Sequence, residues 1–165
     1  MATKIKNRHR LKSKQIREIV ETLENEFEGA FFDNNSVVEV GDVEDKRFVF
    51  VDGKPVLMYV DKQVCFTIHG IEFFEVKNRY VTVDMGAVKF VTNGADVMSP
   101  GVIDADVNIK EKDFVWICDE RNKKPLAVGF AEISGEEMIS ENKGKAVRII
   151  HYVGDIIWGF VAKSL

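Results

Sequence analysis

The residues that could perform acid–base, nucleophilic or metal chemistry are few and scattered along the chain. His9 lies in a basic N-terminal stretch, whereas His69 and His151 lie in or beside apolar segments. Cys65 and His69 form only an isolated Cys-x-x-x-His pair, which is too small a set of ligands for zinc. We therefore expect Cys65 and Cys118 to be buried thiols, and we expect neither a metal nor a cofactor.

The acidic residues give no better indication of an active site. Asp104 and Asp106 are close in sequence but have no base beside them, so a solvated loop is the simpler interpretation. The chain also lacks the sequence motifs of serine hydrolases, zinc peptidases, P-loop NTPases and dinucleotide-binding enzymes. An enzyme is therefore disfavoured, and a binding protein is the better expectation.

Charge is distributed unevenly along the chain. Residues 1–20 contain seven basic residues and one acidic residue, a net charge of +6, while the 165 residues together carry −4. The remaining residues therefore carry −10. A basic segment on an acidic body suits a polyanion such as nucleic acid, with a solvated tail as the alternative. We expect this segment to be a flexible basic arm that contains Lys4, Lys6, Arg8, Arg10, Lys12 and Lys14.

The length and composition indicate a globular protein of one or two domains. The chain is 45% hydrophobic, and no apolar run approaches the length of a membrane span. Met1-Ala2-Thr3-Lys4 is followed by basic residues rather than by the apolar core of a signal peptide. We expect a cytoplasmic protein.

The first half of the sequence predicts one helix followed by short strands. Apolar residues at helical spacing predict a helix over residues 14–27, with Ser13 as its N-cap and Gly29 as its end. Asp52-Gly53 predicts a type I′ hairpin turn, which requires positive φ at both residues. Residues 62–77 fit a helix and a strand equally well. The predicted strands cover residues 37–43, 47–52 and 55–60.

From Arg79 the pattern becomes that of a small barrel with one short helix. Asp84 is the predicted N-cap of a helix over residues 85–92, and Asn93-Gly94 is its left-handed end. Strands are predicted at 80–83, 95–98, 114–118, 126–133, 147–153 and 156–161, with turns at 119–124, 134–145 and 154–155. So many short strands favour a closed or half-closed barrel. The fold class is therefore α+β, with a small mixed N-terminal domain over residues 1–78 and a β pseudobarrel over residues 79–165.

Four segments of the second half occur in an order that is typical of one family. They are "VDMGAVKFVTNGADVMSPGV", "DFVWICDE", "PLAVGFAEIS" and "NKGKAVRIIHYVGDIIW". On these residues the chain resembles the PUA domain, the RNA-binding pseudobarrel of pseudouridine synthases and archaeosine transglycosylases. It resembles most the malignant T-cell amplified sequence and ligatin group of translation proteins, in which a smaller domain precedes the PUA domain. Because no start-site-selecting domain follows Leu165, we expect the short, stand-alone archaeal form.

The resemblance implies a non-enzymatic, translation-related protein whose PUA groove binds tRNA or ribosomal RNA, the 3′ end of tRNA being one expectation. Gly94 and Ala95 would let a phosphate backbone approach, although Gly94 could also serve only as a helix cap. Asp96 would repel phosphate, which favours contact with a nucleotide end. Tyr152 could stack on a base or belong to the core. The implied RNA contacts are Lys89, Asn93, Gly94, Ala95, Asp96, Met98, Ser99, Gly101, Arg148 and Tyr152.

An alternative function is that of a protein–protein adaptor. In this hypothesis the N-terminal domain docks on a translation factor or on the small ribosomal subunit, and the PUA groove is vestigial. Phe31-Phe32 could form an exposed patch for such docking, although core packing is the favoured interpretation of the pair. Strand alternation does not settle which way Trp116 and Trp158 face. We assign both to core packing, because aromatic residues are more often core residues than stacking platforms.

Overall fold

A computed structural model describes residues 4–33 and 35–165, which form two compact units. Residues 1–3, whose sequence argued against a signal peptide, and Asn34 lie outside the described residues. The first unit comprises the chain up to Val76 together with Gly159–Leu165, and the second comprises Lys77–Trp158. The division near Val76 lies close to the domain boundary expected at residue 78, whereas the residues from Gly159 onwards group with the first unit.

The first unit contains a five-stranded antiparallel sheet whose strands lie in chain order. These strands are β1 (Lys6–Arg10), β2 (Val38–Val43), β3 (Lys46–Val51), β4 (Lys54–Val60) and β5 (Gln63–Phe66). Between β3 and β4, Asp52 and Gly53 have φ values of 51° and 84°. The predicted type I′ hairpin turn is therefore confirmed.

Strand β1 corrects the expectation of a flexible basic arm. Arg10 lies opposite Glu39 of β2 in an antiparallel ladder. The guanidinium of Arg8 forms an ion pair with Glu39 at 3.2 Å and lies 4.6 Å from the centre of the Phe50 ring. Because the backbone ladder, together with the Arg8–Glu39 ion pair, joins this segment to β2, it is held as an edge strand rather than as a solvated tail.

Two helices accompany the first sheet. Helix α1 (Ser13–Glu26) begins at Ser13 because Lys12 is its N-cap, and the Lys12 amide donates to the Gln15 side chain at 3.0 Å. It ends before Phe27, two residues earlier than the predicted stop at Gly29. Helix α2 (Ile68–Phe73) follows β5, so the ambiguous segment contains both a strand and a helix. Thr67 caps α2 by accepting a hydrogen bond from the Gly70 amide at 3.0 Å.

The core of the first unit is rich in phenylalanine. Phe27, at the end of α1, packs edge-on against Phe66 of the sheet, with ring centres 5.0 Å apart. Phe31 and Phe32 do not form an exposed patch, because both rings pack against Phe74 at 5.5 and 5.9 Å. Phe160 lies 5.1 Å from Phe48 of β3. Aromatic rings therefore join the helical segments of this unit to its sheet.

The second unit contains a six-stranded, barrel-like sheet. Its strands are β6 (Tyr80–Val83), β7 (Val97–Met98), β8 (Val102–Ala105), β9 (Phe114–Asp119), β10 (Pro125–Ala131) and β11 (Lys145–Tyr152). Their order is β7-β11-β10-β9-β6-β8, and only the β6–β9 pair is parallel among the described strands. Strand β8 was not predicted. Small aliphatic residues such as Val83, Ala127 and Ala146 fill the core.

Three helices follow strands of the second sheet, and two of them correct the sequence predictions. Helix α3 (Met85–Val91) follows β6 as predicted. Helix α4 (Gly135–Ser140) occupies a predicted turn, because Ser134 and Glu137 form a capping box at its start. Helix α5 (Ile156–Lys163) replaces a predicted strand, and its residues from Gly159 onwards belong to the first unit. None of the helices in the described residues is long and apolar enough to span a membrane.

The two tryptophans differ in their environments. Trp116 is buried in β9, and its indole nitrogen donates to the carbonyl of Asn78 at 2.8 Å, so its predicted packing role is confirmed. Trp158 is 40% exposed on the first turn of α5, so the prediction that it packs in the core is wrong. Cys65 and Cys118 are buried and free, as predicted, and burial raises the pKa of Cys65 to about 12.

Candidate functional site

A groove with a volume of about 430 Å³ runs along α3 in the second unit. Its walls are α3, the loop that follows it, β7 and the 3-10 turn Ser99–Gly101. The residues that line it include Asp84, Gly86, Ala87, Phe90, Ala95, Asp96, Met98, Pro100 and Gly101. Much of this lining is apolar or small, so the groove suits a flat apolar surface such as a nucleotide base.

The groove has an exposed apolar wall and a floor of small residues. Phe90 is 57% exposed and Met98 is 49% exposed, although both are large apolar side chains. A Cβ atom added at Gly101 would lie 3.0 Å from the Cβ of Ala87, so the turn lies directly against α3. The sequence-based prediction of RNA contacts did not include Phe90. Ala87 and Val91 are four residues apart on the face of α3 that packs against the core, and Phe90 lies off that face. Helical periodicity could therefore have indicated that Phe90 is exposed.

Two hydrogen bonds hold the turn beside the start of α3. The Asp84 carboxylate accepts from the Ala87 amide at 2.8 Å, which confirms the predicted N-cap. The Asp84 amide donates to the carbonyl of Gly101 at 2.9 Å. The groove is therefore defined by backbone and capping contacts rather than by a mobile loop.

Gly94 has a packing partner within the protein. Its φ of 90° is left-handed, and its amide donates to the Val91 carbonyl at 3.0 Å, so it ends α3 as predicted. A Cβ atom at this position would lie 2.8 Å from the ring of Tyr152. The space that the sequence predicted for a phosphate backbone at Gly94 is therefore occupied by the Tyr152 ring.

Asp96 fastens the loop after α3 to strand β11. Its carboxylate accepts from the amide of Ile149 at 2.9 Å and forms an ion pair with Lys145 at 2.9 Å. Burial raises the pKa of Asp96, but the contacts with Lys145 and Ile149 outweigh it, so its pKa lies below the ordinary value. Because Lys145 balances this charge, Asp96 gives no reason to exclude a phosphate from the groove.

The other expected contacts divide into exposed and buried residues. Lys89 is exposed on α3, with its ammonium nitrogen 5.3 Å from the centre of the Phe90 ring. Asn93 and Ala95 are exposed in the loop after α3. The Arg148 guanidinium lies 5.4 Å from the centre of the Phe130 ring. Ser99 is buried, and its amide donates to the Gly144 carbonyl at 2.8 Å, so it supports the turn rather than lining the groove.

The basic segment lies in the first unit. Lys4 precedes β1, and the next three basic residues lie in that strand. Lys12 caps α1, and Lys14 lies in its first turn. All six basic residues are exposed. Within the described residues, no three His, Cys, Asp or Glu side chains come together as a metal site.

Comparison with known proteins identifies both halves of the chain. Residues 79–153 match the PUA domain, and residues 7–69 match a domain of unknown function, DUF1947. A hypothetical protein of Pyrococcus horikoshii OT3 has a similar crystal structure, with a TM-score of 0.83 and 32% identity. That similarity covers 93% of this chain and 99% of the other.

Relatives with similar sequences include proteins named for translation. An uncharacterized protein of Methanocaldococcus jannaschii is 41% identical, over 94% of this chain and 98% of the relative. Translation machinery-associated protein 20 of Saccharomyces cerevisiae is 32% identical, over 76% of this chain and 73% of the relative. The malignant T-cell-amplified sequence 1 homolog of Drosophila melanogaster is 38% identical, over 46% of this chain and 43% of the relative. The chain therefore belongs to the family of PUA-domain proteins that includes translation machinery-associated protein 20, as its sequence predicts.

Proposed function

We propose that this protein is a non-enzymatic, cytoplasmic RNA-binding protein of the translation machinery. Its ligand is tRNA or ribosomal RNA, and the groove along α3 is the binding site. The observation that carries this proposal is the exposed pair Phe90 and Met98 beside a floor of small residues, in a PUA domain. The name of translation machinery-associated protein 20 supports the assignment to translation.

The chemistry of the groove suits an unpaired nucleotide. A base stacked on an aromatic ring contributes about 1–3 kcal/mol, and Phe90 offers a solvent-exposed ring. Met98 and Pro100 supply further apolar contact, while Lys89 supplies a cation beside Phe90 for the phosphate. A duplex would bury its bases inside its own stack, so a single-stranded end such as the 3′ end of tRNA is the better ligand.

The basic segment of the first unit adds affinity that does not depend on sequence. Arg8 is paired with Glu39, whereas Lys6, Arg10, Lys12 and Lys14 are exposed and form no ion pair with another described residue. Lysine and arginine that neutralise phosphates release counterions, so this contribution decreases as salt increases. We therefore assign the groove to recognition of a nucleotide end and the basic segment to electrostatic attraction.

Anisotropy of fluorescently labelled tRNA, titrated with the protein across a salt series, tests the proposal. Phe90→Ala is expected to weaken binding by roughly 5-fold to 150-fold, which corresponds to the removal of one stacked ring. Val107→Ala is the control, because Val107 is 58% exposed in the same unit but does not line the groove. Equal affinities of the two variants would exclude Phe90 from the site, and a wild-type protein that does not bind tRNA or ribosomal RNA would overturn the function.

A protein–protein adaptor is the second candidate function. The residues that support it are on α5 and are not the phenylalanine pair that the sequence suggested. Phe31 and Phe32 pack in the core, but Ile156 is 88% exposed and Trp158 is 40% exposed on the first turn of α5. Exposed tryptophan is a common anchor of protein interfaces. Co-purification with ribosomal subunits that survives nuclease treatment but is lost in Trp158→Ala would favour this second candidate.

A further inference from the structure

We infer that the hairpin between β9 and β10 is a second RNA contact, which binds the phosphate backbone of a strand leaving the groove at the start of α3. This inference rests on the proposed function of the groove, and it extends the site by a surface of different chemistry. The groove holds a base through apolar contact, whereas the hairpin holds phosphates through charge.

The hairpin lies beside the end of the groove where α3 begins. Strands β6 and β9 are parallel neighbours, with Val83 opposite Asp119, so Asp84 and Glu120 follow adjacent strand ends. The Glu120 carboxylate accepts a hydrogen bond from the Met85 amide at 3.2 Å. Because Met85 is the first residue of α3 and Asp84 lines the groove, the base of the hairpin adjoins the groove itself.

The tip of the hairpin presents a concentration of free positive charge. Residues 121–124 read Arg-Asn-Lys-Lys, and all four are exposed. Across residues 4–33 and 35–165, neither Arg121, Lys123 nor Lys124 forms an ion pair. The tip also has a defined conformation, because the Asn122 amide donates to the Asp119 carboxylate at 2.7 Å.

Two of the cations at the opposite end of the groove are engaged, whereas Lys89 and Lys143 are exposed there and form no ion pair among the described residues. Lys145 is paired with Asp96 at 2.9 Å, and the Arg148 guanidinium lies over the Phe130 ring. A nucleic-acid strand carries a phosphate at every nucleotide, so a strand that leaves the groove needs cations along its exit. The three unpaired cations at the hairpin therefore offer the bound strand an exit at the α3 start, with its base at Phe90 and its flanking phosphates at the hairpin.

The geometry predicts that the effect of the hairpin depends on ligand length. A trinucleotide that fills only the groove does not reach the hairpin, whereas a single strand of about twelve nucleotides reaches both surfaces. Removal of hairpin charge should therefore weaken binding of the long strand alone. Removal of the Phe90 ring should weaken binding of both ligands.

The test compares two double variants that remove equal charge from the second unit. Arg121→Gln with Lys124→Gln removes two cations of the hairpin. Lys77→Gln with Lys110→Gln is the control variant, and it removes two exposed cations. Both lysines are close in sequence to Arg79 and Asp106, whose hydrogen bond lies at the end of β6 away from α3. Circular dichroism checks that each variant is folded, and anisotropy of fluorescein-labelled single-stranded RNA measures binding.

For the long strand, the hairpin variant is expected to bind at least about 3-fold more weakly than the control variant at low salt. The slope of log affinity against log salt is expected to decrease in magnitude by about 1.4, or about 0.7 for each phosphate of a single strand that the variant no longer neutralises. For the trinucleotide, the hairpin and control variants are expected to bind equally.

The outcomes separate this inference from the proposed function. Equal binding of the long strand by the hairpin and control variants, with Phe90→Ala weakened, would overturn the hairpin contact and leave the groove assignment intact. Binding that is unchanged in Phe90→Ala for both ligands would overturn the groove, and with it the basis of this inference. Weakened trinucleotide binding in the hairpin variant would show that the hairpin belongs to the groove rather than to its exit, which also contradicts the inference.

Discussion

The two units of the molecule use different side chains to build their cores. Nine of the twelve phenylalanines belong to the first unit, where rings such as Phe66 and Phe74 join helical segments to an open sheet. The second unit uses valine, isoleucine and alanine, since its curled sheet brings backbones close together. A Cβ atom added at Gly129 of β10 would lie 2.2 Å from the Arg148 carbonyl oxygen of β11.

This difference shows which aromatic residue is not needed for packing. Of the three phenylalanines in the second unit, Phe114 and Phe130 pack edge-on with ring centres 6.0 Å apart. Phe90 remains exposed beside the groove. A large ring left in solvent contributes little to stability, and here it lies beside an exposed Met98 on the same groove, so Phe90 is the ring that the proposed function assigns to the ligand. The contrast thus separates residues that hold the fold from a residue that is available to a ligand.

The largest expected effect comes from breaking the aromatic core of the first unit. Phe66 is fully buried, so Phe66→Ala is expected to lower the free energy of unfolding by about 3–5 kcal/mol. Urea unfolding followed by far-ultraviolet circular dichroism measures this change. Trp116 is buried in the second unit, so its fluorescence, followed in a Trp158→Phe background, should keep the same midpoint. Phe90→Ala is the matched control, and an equal loss of stability in that variant would contradict the contrast.

A smaller effect is expected from filling the close contact in the second unit. Gly129→Ala should force β10 and β11 apart and cost about 1–3 kcal/mol, visible as an earlier transition in tryptophan fluorescence. Gly159→Ala, in the part of α5 that belongs to the first unit, is the comparison variant, because a Cβ atom there meets nothing within 4 Å. That substitution should stabilise the protein by up to about 1 kcal/mol. Stability that is unchanged in Gly129→Ala would disprove the close-packing argument.

The smallest expected effect concerns the contacts of Asp96 that fasten the loop after α3 to strand β11. The folded pKa of Asp96 lies below its ordinary value of 3.8, so its contribution to stability is present above pH 3.8 and disappears as the pH falls through the folded pKa. Asp96→Asn removes this dependence, and the expected difference is below about 1 kcal/mol because the ion pair is partly exposed. Acid titration followed by tryptophan fluorescence should show wild type losing more stability than Asp96→Asn below pH 3.8. Parallel titration curves of wild type and Asp96→Asn would show that the Asp96 contacts do not contribute to stability.

The features that the sequence predicted well depend on neighbouring residues. The cap of α3 joins Asp84 to an amide three residues later, and the turn at Asp52-Gly53 depends on two adjacent φ angles. Such signals lie within one short segment, so the pattern of residue types is sufficient to identify them. The PUA resemblance likewise rests on segments in a fixed order.

The features that the sequence missed depend on distant partners. The basic segment forms a strand because it pairs with β2, where Arg8 contacts a residue 31 positions away. Asp96 bonds to an amide 53 positions away, and Gly94 meets the ring of Tyr152. Residues 156–162 of α5 include no polar residue that could define the period, and only the burial of Ile157, Phe160 and Val161 reveals the helical face. Contacts between residues that are far apart in the sequence therefore determine these features, and a pattern within one segment cannot reveal them.

The split of the first unit between the two ends of the sequence has a consequence for protein synthesis. Phe160 packs against Phe48 and Phe50, but it is made only after the whole second unit. During translation, the rings of Phe48 and Phe50 therefore leave the ribosome without their partner, while the second unit is a continuous segment that can complete its own core. The unit that is translated first is thus the last to be finished.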